Sequence, residues 1–233
     1  MKVKIASFIV MFLFVFNSNA QKQFSLNSPN EQIKVSISIS DKIYYSVSYN
    51  GETLLSNCNM ALHLSDEVLG QNPKLLSNKQ SVINETLTPV VPLKFSTVKN
   101  HCNVLTMAFK GNYSVEFRVF NNGMAYRFVT NLKEKEVEVM NEDFNLHFNS
   151  DYLFHIQQPG DFKTAYEEEY SHMRASEWKS SDRMSTLPVL MEAKPPYKIL
   201  ISESDLTDYP AMFLKGTGGN ALTSTFPKEP LEF

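Results

Sequence analysis

Carboxylates follow directly on an apolar stretch late in the chain, in the sequence YKILISESDLTDYPAMFL from Tyr197 to Leu214. In a strand with a period of two, Tyr197, Ile199 and Ile201 point to one side, and Glu203 continues that side. A carboxylate that leaves a strand at the edge of the core needs a partner, because an unpaired charge is too costly to bury. A backbone amide, an arginine and a metal ion all satisfy that need.

The same residues also fit a purely local role. Ser202 would accept hydrogen bonds from backbone amides while Asp205 reaches back, which makes a capping box at the start of one helical turn. The two interpretations differ in what Glu203 does: it is either a functional ligand or a bystander beside the cap.

A second acidic group is the run YEEEY from Tyr166 to Tyr170, which His172, Arg174 and Trp178 follow. Aromatic rings stack on sugar rings and carboxylates accept hydrogen bonds from sugar hydroxyls, so this group is one candidate for a glycan contact. The alternative is a solvated acidic loop.

A hairpin is predicted around Asn122-Gly123, because both residues adopt positive φ readily and suit a two-residue turn. That turn pairs Asn121 with Met124 and places Phe117 opposite Phe128, which builds one apolar face.

The same register places Arg118 opposite Arg127, where the two guanidinium groups repel each other. Glu116 lies diagonally near one of them, so an ion network within the surface is one interpretation. The other is that this face meets an acidic surface of a following domain.

Cys58 and Cys102 are the two cysteines. A bond between them would close a loop of about forty residues and contribute roughly 4 kcal/mol by restricting the unfolded chain. Two reduced, buried cysteines are the alternative. Neither cysteine has a histidine at ligand spacing, so no zinc site is expected.

Residues 1–20 have the pattern of a secretory signal: Lys2 and Lys4 begin it, an apolar stretch follows, and Ser18-Asn19-Ala20 suits cleavage. The apolar stretch is too short to span a bilayer. Cleavage takes the formal charge from −3 to −5, which argues against nucleic acid and anionic membranes as partners. We expect export to the periplasm or the extracellular space, with no later membrane span.

The mature chain, 21–233, suits one large β domain, because short alternating segments dominate and no helical period follows the signal. We expect an all-β antiparallel sandwich of the super-sandwich, galactose-mutarotase-like kind. The segment 67–81 is expected to be a surface loop, and the tail 225–233 offers no closing strand, so the domain is expected to be incomplete at its C-terminus. The predicted strands are Ile33–Ile39, Ile43–Tyr49, Val104–Phe109, Tyr113–Phe120, Met124–Thr130, Val137–Met140, Phe144–Phe148, Tyr152–Ile156, Leu187–Met191 and Tyr197–Ile201.

Several motifs resemble the N-terminal domain of glycoside hydrolase family 97, a family of α-glucosidases and α-galactosidases. The run ISESDLTDYPAMFL resembles the family's Glu-x-Asp-Leu-x-Asp-Tyr-Pro segment, and FRVFNNGMAYRF resembles its Phe-Arg-Val-x-x-x-Gly-x-Ala-x-Arg hairpin. Ser28-Pro29 and Leu187-Pro188 agree as well. Ala211 departs from the pattern, since glycine is expected after Tyr-Pro.

The resemblance implies a β-sandwich that precedes a catalytic (β/α)₈ barrel, which this chain lacks. It also implies that Glu203 helps to coordinate a calcium ion in the barrel's active site, with an oligosaccharide as substrate. No catalytic residue is then expected in this chain. A stand-alone glycan-binding or interface module is the alternative function.

Catalysis by the sandwich alone would need a proton-transfer site like that of the aldose mutarotase scaffold, which this fold resembles. The histidines fall singly along the sequence and match no such motif, so independent catalysis is not expected. They are His63, His101, His147, His155 and His172.

Overall fold

The computed structural model describes residues 21–91, 94–134, 136–163, 165–204, 206–207 and 209–227. The predicted signal at 1–20, the capping residue Asp205 and the tail 228–233 lie outside them. The strands are β1 (Lys22–Asn27), β2 (Ile33–Ile39), β3 (Ile43–Tyr49), β4 (Glu52–Leu64), β5 (Val68–Leu69), β6 (Leu75–Leu87), β7 (Val98–Phe109), β8 (Tyr113–Phe120), β9 (Gly123–Thr130), β10 (Val139–His147), β11 (Leu153–Gln157), β12 (Tyr170–Arg174), β13 (Val189–Glu192), β14 (Lys198–Ile201), β15 (Phe213–Gly216) and β16 (Ala221–Thr225).

The strands form one large and two small sheets. The eight-stranded sheet has the order β1-β2-β3-β4-β10-β16-β15, and β5 pairs with β4 at its side. The two four-stranded sheets have the orders β6-β7-β8-β9 and β12-β11-β13-β14. Neighbouring strands are antiparallel, for example β2 with β3 and β8 with β9. The predicted all-β antiparallel sandwich is confirmed.

Alternating side chains bury one face of each sheet. In β2 the residues Ile33, Val35, Ile37 and Ile39 are buried, while the polar residues between them are exposed or half-buried. In β8 the buried row is Tyr113, Val115, Phe117 and Val119. Each fully buried large apolar side chain contributes about 1.5–3 kcal/mol relative to exposure. These rows close the sandwich, because their side chains belong to one core cluster.

The third sheet joins the same core through a tryptophan. Trp178 is fully buried and packs edge-on against Phe154, with ring centroids 5.9 Å apart. Its Nε1 donates to the carbonyl oxygen of Arg183 at 3.0 Å. Gly216 of β15 passes so close that an added Cβ would lie 2.0 Å from the Trp178 carbonyl oxygen.

The hairpin between β8 and β9 has a different register from the predicted one. Phe120 pairs with Gly123, so the two loop residues are Asn121 and Asn122. The Asn121 side chain accepts from the backbone N–H of Asn30 at 2.9 Å, a contact from another part of the chain that helps to hold this turn. The predicted Asn122-Gly123 turn is therefore wrong.

The shift moves the partner strand by two residues, which keeps the same side chains on the apolar face. Phe117 now pairs with Tyr126 instead of Phe128. Glu116 pairs with Arg127 and Arg118 pairs with Ala125, so the two arginines are no longer opposite each other. Opposite charges across the strands replace a repulsive pair.

The predicted loop at 67–81 is also wrong, because it contains β5 and the first half of β6. Nearly every side chain of β6 is exposed, so its sequence shows no alternation. Main-chain pairing with β7 along almost its whole length holds the strand instead. Two predicted strands, Val137–Met140 and Phe144–Phe148, overlap the two ends of a single strand, β10 (Val139–His147), whose pairing with β4 shifts between Val139 and Asn141. Among the described residues there is no helix of the length and apolarity needed to cross a membrane.

Candidate functional site

Glu203 lies two residues beyond the end of β14, where it continues the side chain alternation of that strand. Ile201 is buried, and Tyr197 and Ile199 pack against the core, as the alternation predicts. Both carboxylate oxygens of Glu203 accept from the backbone N–H of Met212, at 3.0 and 3.1 Å. Of the three partners that the sequence allowed, the structure shows a backbone amide.

The predicted cap is not formed by Ser202. Its Oγ donates to the carbonyl oxygen of Glu203 at 3.4 Å rather than accepting from an amide. Residues 202–204 and 206–207 have no helical turn, and Asp205 lies outside the described residues. Glu203 is held instead by the backbone amide of Met212, the residue directly before β15.

A second carboxylate, Glu142 of β10, lies near enough to Glu203 for its charge to act on it. Its side chain accepts from the hydroxyl of Tyr209 at 2.9 Å and from that of Tyr126 at 3.4 Å. Burial raises the pKa of Glu142, and the two tyrosine hydroxyls act in the opposite direction. The sequence did not reveal this residue, because β10 lacks a clear alternation and its partners lie far away in the chain.

The two acids influence each other. Burial is the main reason that the pKa of Glu203 is raised; the Met212 amide lowers it, and the negative charge of Glu142 raises it further. Burial and the charge of Glu142 also raise the pKa of Tyr209, so its hydroxyl stays protonated and donates.

The donor chemistry of Glu203 fits a calcium ligand. Calcium prefers carboxylate and carbonyl oxygens and takes about six to eight of them. Each oxygen of Glu203 keeps further acceptor capacity beside its bond to Met212. No group of three or more His, Cys, Asp or Glu side chains converges in the described part of the chain. Glu203 is thus chemically able to serve as one calcium ligand.

Tyr209, from the Asp-Tyr-Pro part of the motif, connects this segment to the large sheet. Besides its hydrogen bond to Glu142, its ring packs edge-on against Phe226 at 6.1 Å. The segment between β14 and β15 is thus tied down at two points, through Glu203 to Met212 and through Tyr209 to Glu142.

The acidic run YEEEY is exposed, which is compatible with both a solvated loop and a glycan contact. Residues 165–169 are exposed and have no regular structure, and Tyr170 begins β12. Tyr166 packs against Phe213 with ring centroids 5.6 Å apart. The glycan contact predicted for Trp178 is wrong, because that ring is fully buried in the core.

Arg118 and Arg127 both form an ion pair within the chain, with Glu116. Glu116 Oε1 lies 2.8 Å from Nη2 of Arg118 and 3.1 Å from Nη2 of Arg127. The surface ion network is confirmed, and the interpretation that needed an acidic surface from another domain loses its basis.

Both cysteines are free and buried. Cys58 lies in β4 and Cys102 in β7, in different sheets. Burial raises the pKa of the Cys58 thiol to about 11, so this thiol is unreactive at neutral pH. The structure thus shows the reduced alternative.

Two histidines that are separate in the sequence meet in the structure. Nδ1 of His155 and Nδ1 of His172 are 2.7 Å apart across β11 and β12. A third, His63, lies 3.0 Å from the carboxylate of Asp143. The expectation of scattered single histidines is therefore wrong for His155 and His172.

Comparison with known proteins agrees with these features. A family model described as Glycosyl-hydrolase 97 N-terminal matches residues 26–229. A retaining alpha-galactosidase of Bacteroides thetaiotaomicron is 31% identical over 243 residues, which cover 98% of this chain and 36% of that protein. The chain thus spans little more than a third of the length of this relative.

Solved structures share the fold. A glycoside hydrolase family 97 enzyme of Pseudoalteromonas sp. strain K8, in complex with acarbose, superposes with a TM-score of 0.76 at 20% identity, over 87% of this chain and 32% of that one. The crystal structure of a beta-arabinopyranosidase superposes with a TM-score of 0.78 at 25% identity, over 88% of this chain and 35% of that one.

Proposed function

The chain belongs to the N-terminal domain family of glycoside hydrolase family 97, and from this membership we propose that it is the non-catalytic β-sandwich of an exported glycosidase. In this proposal it packs on a catalytic (β/α)₈ barrel, contributes to binding an oligosaccharide, and supplies one calcium ligand to the active site. The substrates are α-glucosides or α-galactosides.

The observation that carries the proposal is the position of Glu203. Its carboxylate is held by one backbone amide, is only half-buried, and is followed by a segment that Tyr209 anchors. A ligand fixed in this way needs little reorganisation to meet an ion presented by a neighbouring domain. The matching relative is longer than this chain, which supports a second domain.

Calcium would supply electrostatic stabilisation at the sugar. Within this chain, Met212 orients the carboxylate and the charge of Glu142 increases the local attraction for a cation. The signal pattern of residues 1–20 supports export.

The test joins this chain to the remaining part of the Bacteroides alpha-galactosidase and titrates calcium by calorimetry. Glu203→Gln removes the charge but keeps the shape, so we expect calcium affinity and hydrolytic activity to fall together. Glu85→Gln, an exposed glutamate in the edge strand β6, is the matched control and should leave both unchanged. Calcium affinity that is equal in the parent and Glu203→Gln proteins would overturn the metal assignment.

The alternative, a stand-alone glycan-binding module, has less support. Its proposed aromatic contact Trp178 is buried. Binding of maltooligosaccharides to the chain alone, measured by the same calorimetry, would favour it.

A further inference from the structure

A pair of histidines lies on the outer face of the small sheet β12-β11-β13-β14, away from Glu203. His155 of β11 and His172 of β12 are direct partners in the antiparallel register. Their Nδ1 atoms are 2.7 Å apart and their rings meet edge to face, with centroids at 4.7 Å. Phe154 and Ile156 point to the core, so His155 points to the opposite face.

A carboxylate lies beside the ring of His155, on the side away from His172. Nε2 of His155 lies 3.3 Å from Oε1 of Glu192, on the neighbouring strand β13. This nitrogen is buried and, despite the short distance, has no hydrogen-bond partner of acceptable geometry. Glu192 is held ionised: Lys198, with Nζ 2.8 Å from the same oxygen, lowers the pKa of the carboxyl most, and His155 lowers it further.

We propose that His155 and His172 form a two-nitrogen chelate for a transition-metal dication of the Zn²⁺ or Cu²⁺ type. Both rings bind through Nδ1, and Glu192 lies 3.3 Å from Nε2 of His155, where it can accept that N–H once the ring turns toward the metal. Imidazole nitrogens suit these ions. A carboxylate that accepts the second N–H of a metal-binding histidine is the usual supporting arrangement.

The geometry requires only a small opening of the pair. Zn–N bonds of about 2.0–2.1 Å in a tetrahedral site put the two nitrogens about 3.3 Å apart. The present 2.7 Å separation must therefore grow by roughly 0.6 Å. His172 is exposed and lies on the edge strand of its sheet, where a ring can move outward.

One proton has to move when the ion binds. In the metal-free pair one Nδ1 donates to the other, so a single proton lies between them. With His155 carrying its proton on Nε2 toward Glu192, the shared proton belongs to His172. It transfers to the other nitrogen of that exposed ring, so both Nδ1 lone pairs face the metal and the net charge of the two rings is unchanged.

Two ligands make a weaker site than a complete zinc centre. The described residues provide no cluster of three ligating side chains, so water or a small anion completes the coordination. Lys198 donates to the Glu192 carboxylate, and its positive charge limits the affinity for a metal ion. Arg174 is directed elsewhere, to the carbonyl oxygen of Asp151 at 3.0 Å. Calcium is excluded because it prefers oxygen ligands.

The test uses the full chain with Zn²⁺ in calorimetry and Cu²⁺ in electron paramagnetic resonance. We expect one Zn²⁺ per chain at pH 7.5, and a copper spectrum with coupling to imidazole nitrogens. His172→Gln should weaken Zn²⁺ binding by at least about tenfold, and Glu192→Gln by about tenfold. His101→Gln, in the other small sheet, is the matched control and should bind like the parent.

The proposal is overturned if His172→Gln, shown to be folded by circular dichroism, binds Zn²⁺ as tightly as the parent. The parent protein gives a test that needs no variant: a copper spectrum without nitrogen coupling would overturn it as well. Acidification should release the ion, because protons compete with it for the imidazole nitrogens. Calcium at the same concentration should not compete.

Discussion

Burial raises the pKa of two acids, Glu142 of β10 and Glu203. Glu142 and Glu203 both have a raised pKa, with burial as the largest cause in each, although each accepts hydrogen bonds that act in the opposite direction. Glu142 has two tyrosine donors and Glu203 has one amide. At the residue scale, ionisation of these two acids therefore carries a cost in stability.

Replacing Glu142 should show this cost directly. A carboxyl whose pKa is raised in the folded state contributes stability that is fully present below its unfolded pKa and is lost as pH rises through the folded pKa. Glu142→Gln keeps an oxygen for the tyrosines but cannot ionise. We expect the melting temperature of the variant, relative to that of the parent, to increase between about pH 4.5 and pH 7. Thermal unfolding followed by circular dichroism measures it, and a difference that shrinks with pH would contradict it.

The Tyr209 hydroxyl should stabilise the folded state, in contrast to the charge of Glu142. Tyr209→Phe removes the shorter of the two hydrogen bonds to Glu142 and leaves the ring against Phe226. We expect the free energy of unfolding at pH 7 to fall by about 1–3 kcal/mol, as for a hydrogen bond to a charged group. Chemical denaturation measures the change. Tyr44→Phe is the control, since its hydroxyl makes only long contacts of 3.3 and 3.4 Å to the exposed Asp41; a loss as large as that of Tyr209→Phe would argue against a special role for the Glu142 contact.

Individual strands depend on contacts with very different partners. β2 and β8 bury an alternating row, whereas β6 is held through its main chain and exposes nearly all its side chains. β15 pairs with β16 and buries Phe213 and Leu214, and its Gly216 lies against the backbone and ring of Trp178. The strand that follows Met212 therefore includes a core contact that leaves no space for a side chain at Gly216.

Gly216→Ala tests that contact. The added Cβ would meet the Trp178 carbonyl oxygen at 2.0 Å and Cγ at 2.4 Å, so the strand or the tryptophan must move. We expect a loss of more than about 2 kcal/mol in the free energy of unfolding. Gly123→Ala is the control, because nothing lies within 4 Å of its added Cβ, and it should stay within about 0.5 kcal/mol of the parent. Urea denaturation measures both, and equal stabilities would show that the site relaxes freely.

The whole molecule is one core with three sheets around it. Ile37 of the large sheet, Phe117 of one small sheet and Phe154 of the other belong to the same buried cluster. Glu203 lies outside that core and the histidine pair lies on an outer face, so the two proposed cation sites are separate from each other. The scaffold can fold around its core while both sites stay accessible to other groups.

The chain by itself should not hydrolyse glycosides. Hydrolysis needs two carboxyl groups placed on either side of the scissile bond, and the family resemblance places them in the barrel. An assay with aryl α-glucosides and α-galactosides in the presence of calcium measures this, with the Bacteroides alpha-galactosidase as the positive control. Turnover that Glu142→Gln or Glu203→Gln abolishes would show instead that the sandwich is catalytic.

Local alternation determined the fold class and several strands. The Ile33–Ile39 and Ile43–Tyr49 hairpin forms as predicted, and Glu203 continues the side of β14 that Ile201 buries. These features depend on side chain parity, which neighbouring residues define. The motif at Glu203 was also readable, because its residues are contiguous.

Pairings between distant residues were decided only by the tertiary structure. Glu142 and Tyr209 are 67 residues apart in sequence. The predictions for the Asn121-Asn122 turn and for β6 were wrong because contacts from other segments hold the chain there. The burial of Trp178 and the meeting of His155 with His172 depend on how sheets and strands are assembled. Sequence patterns indicate which face of a strand a side chain occupies, but not which residue lies beside it on the neighbouring strand.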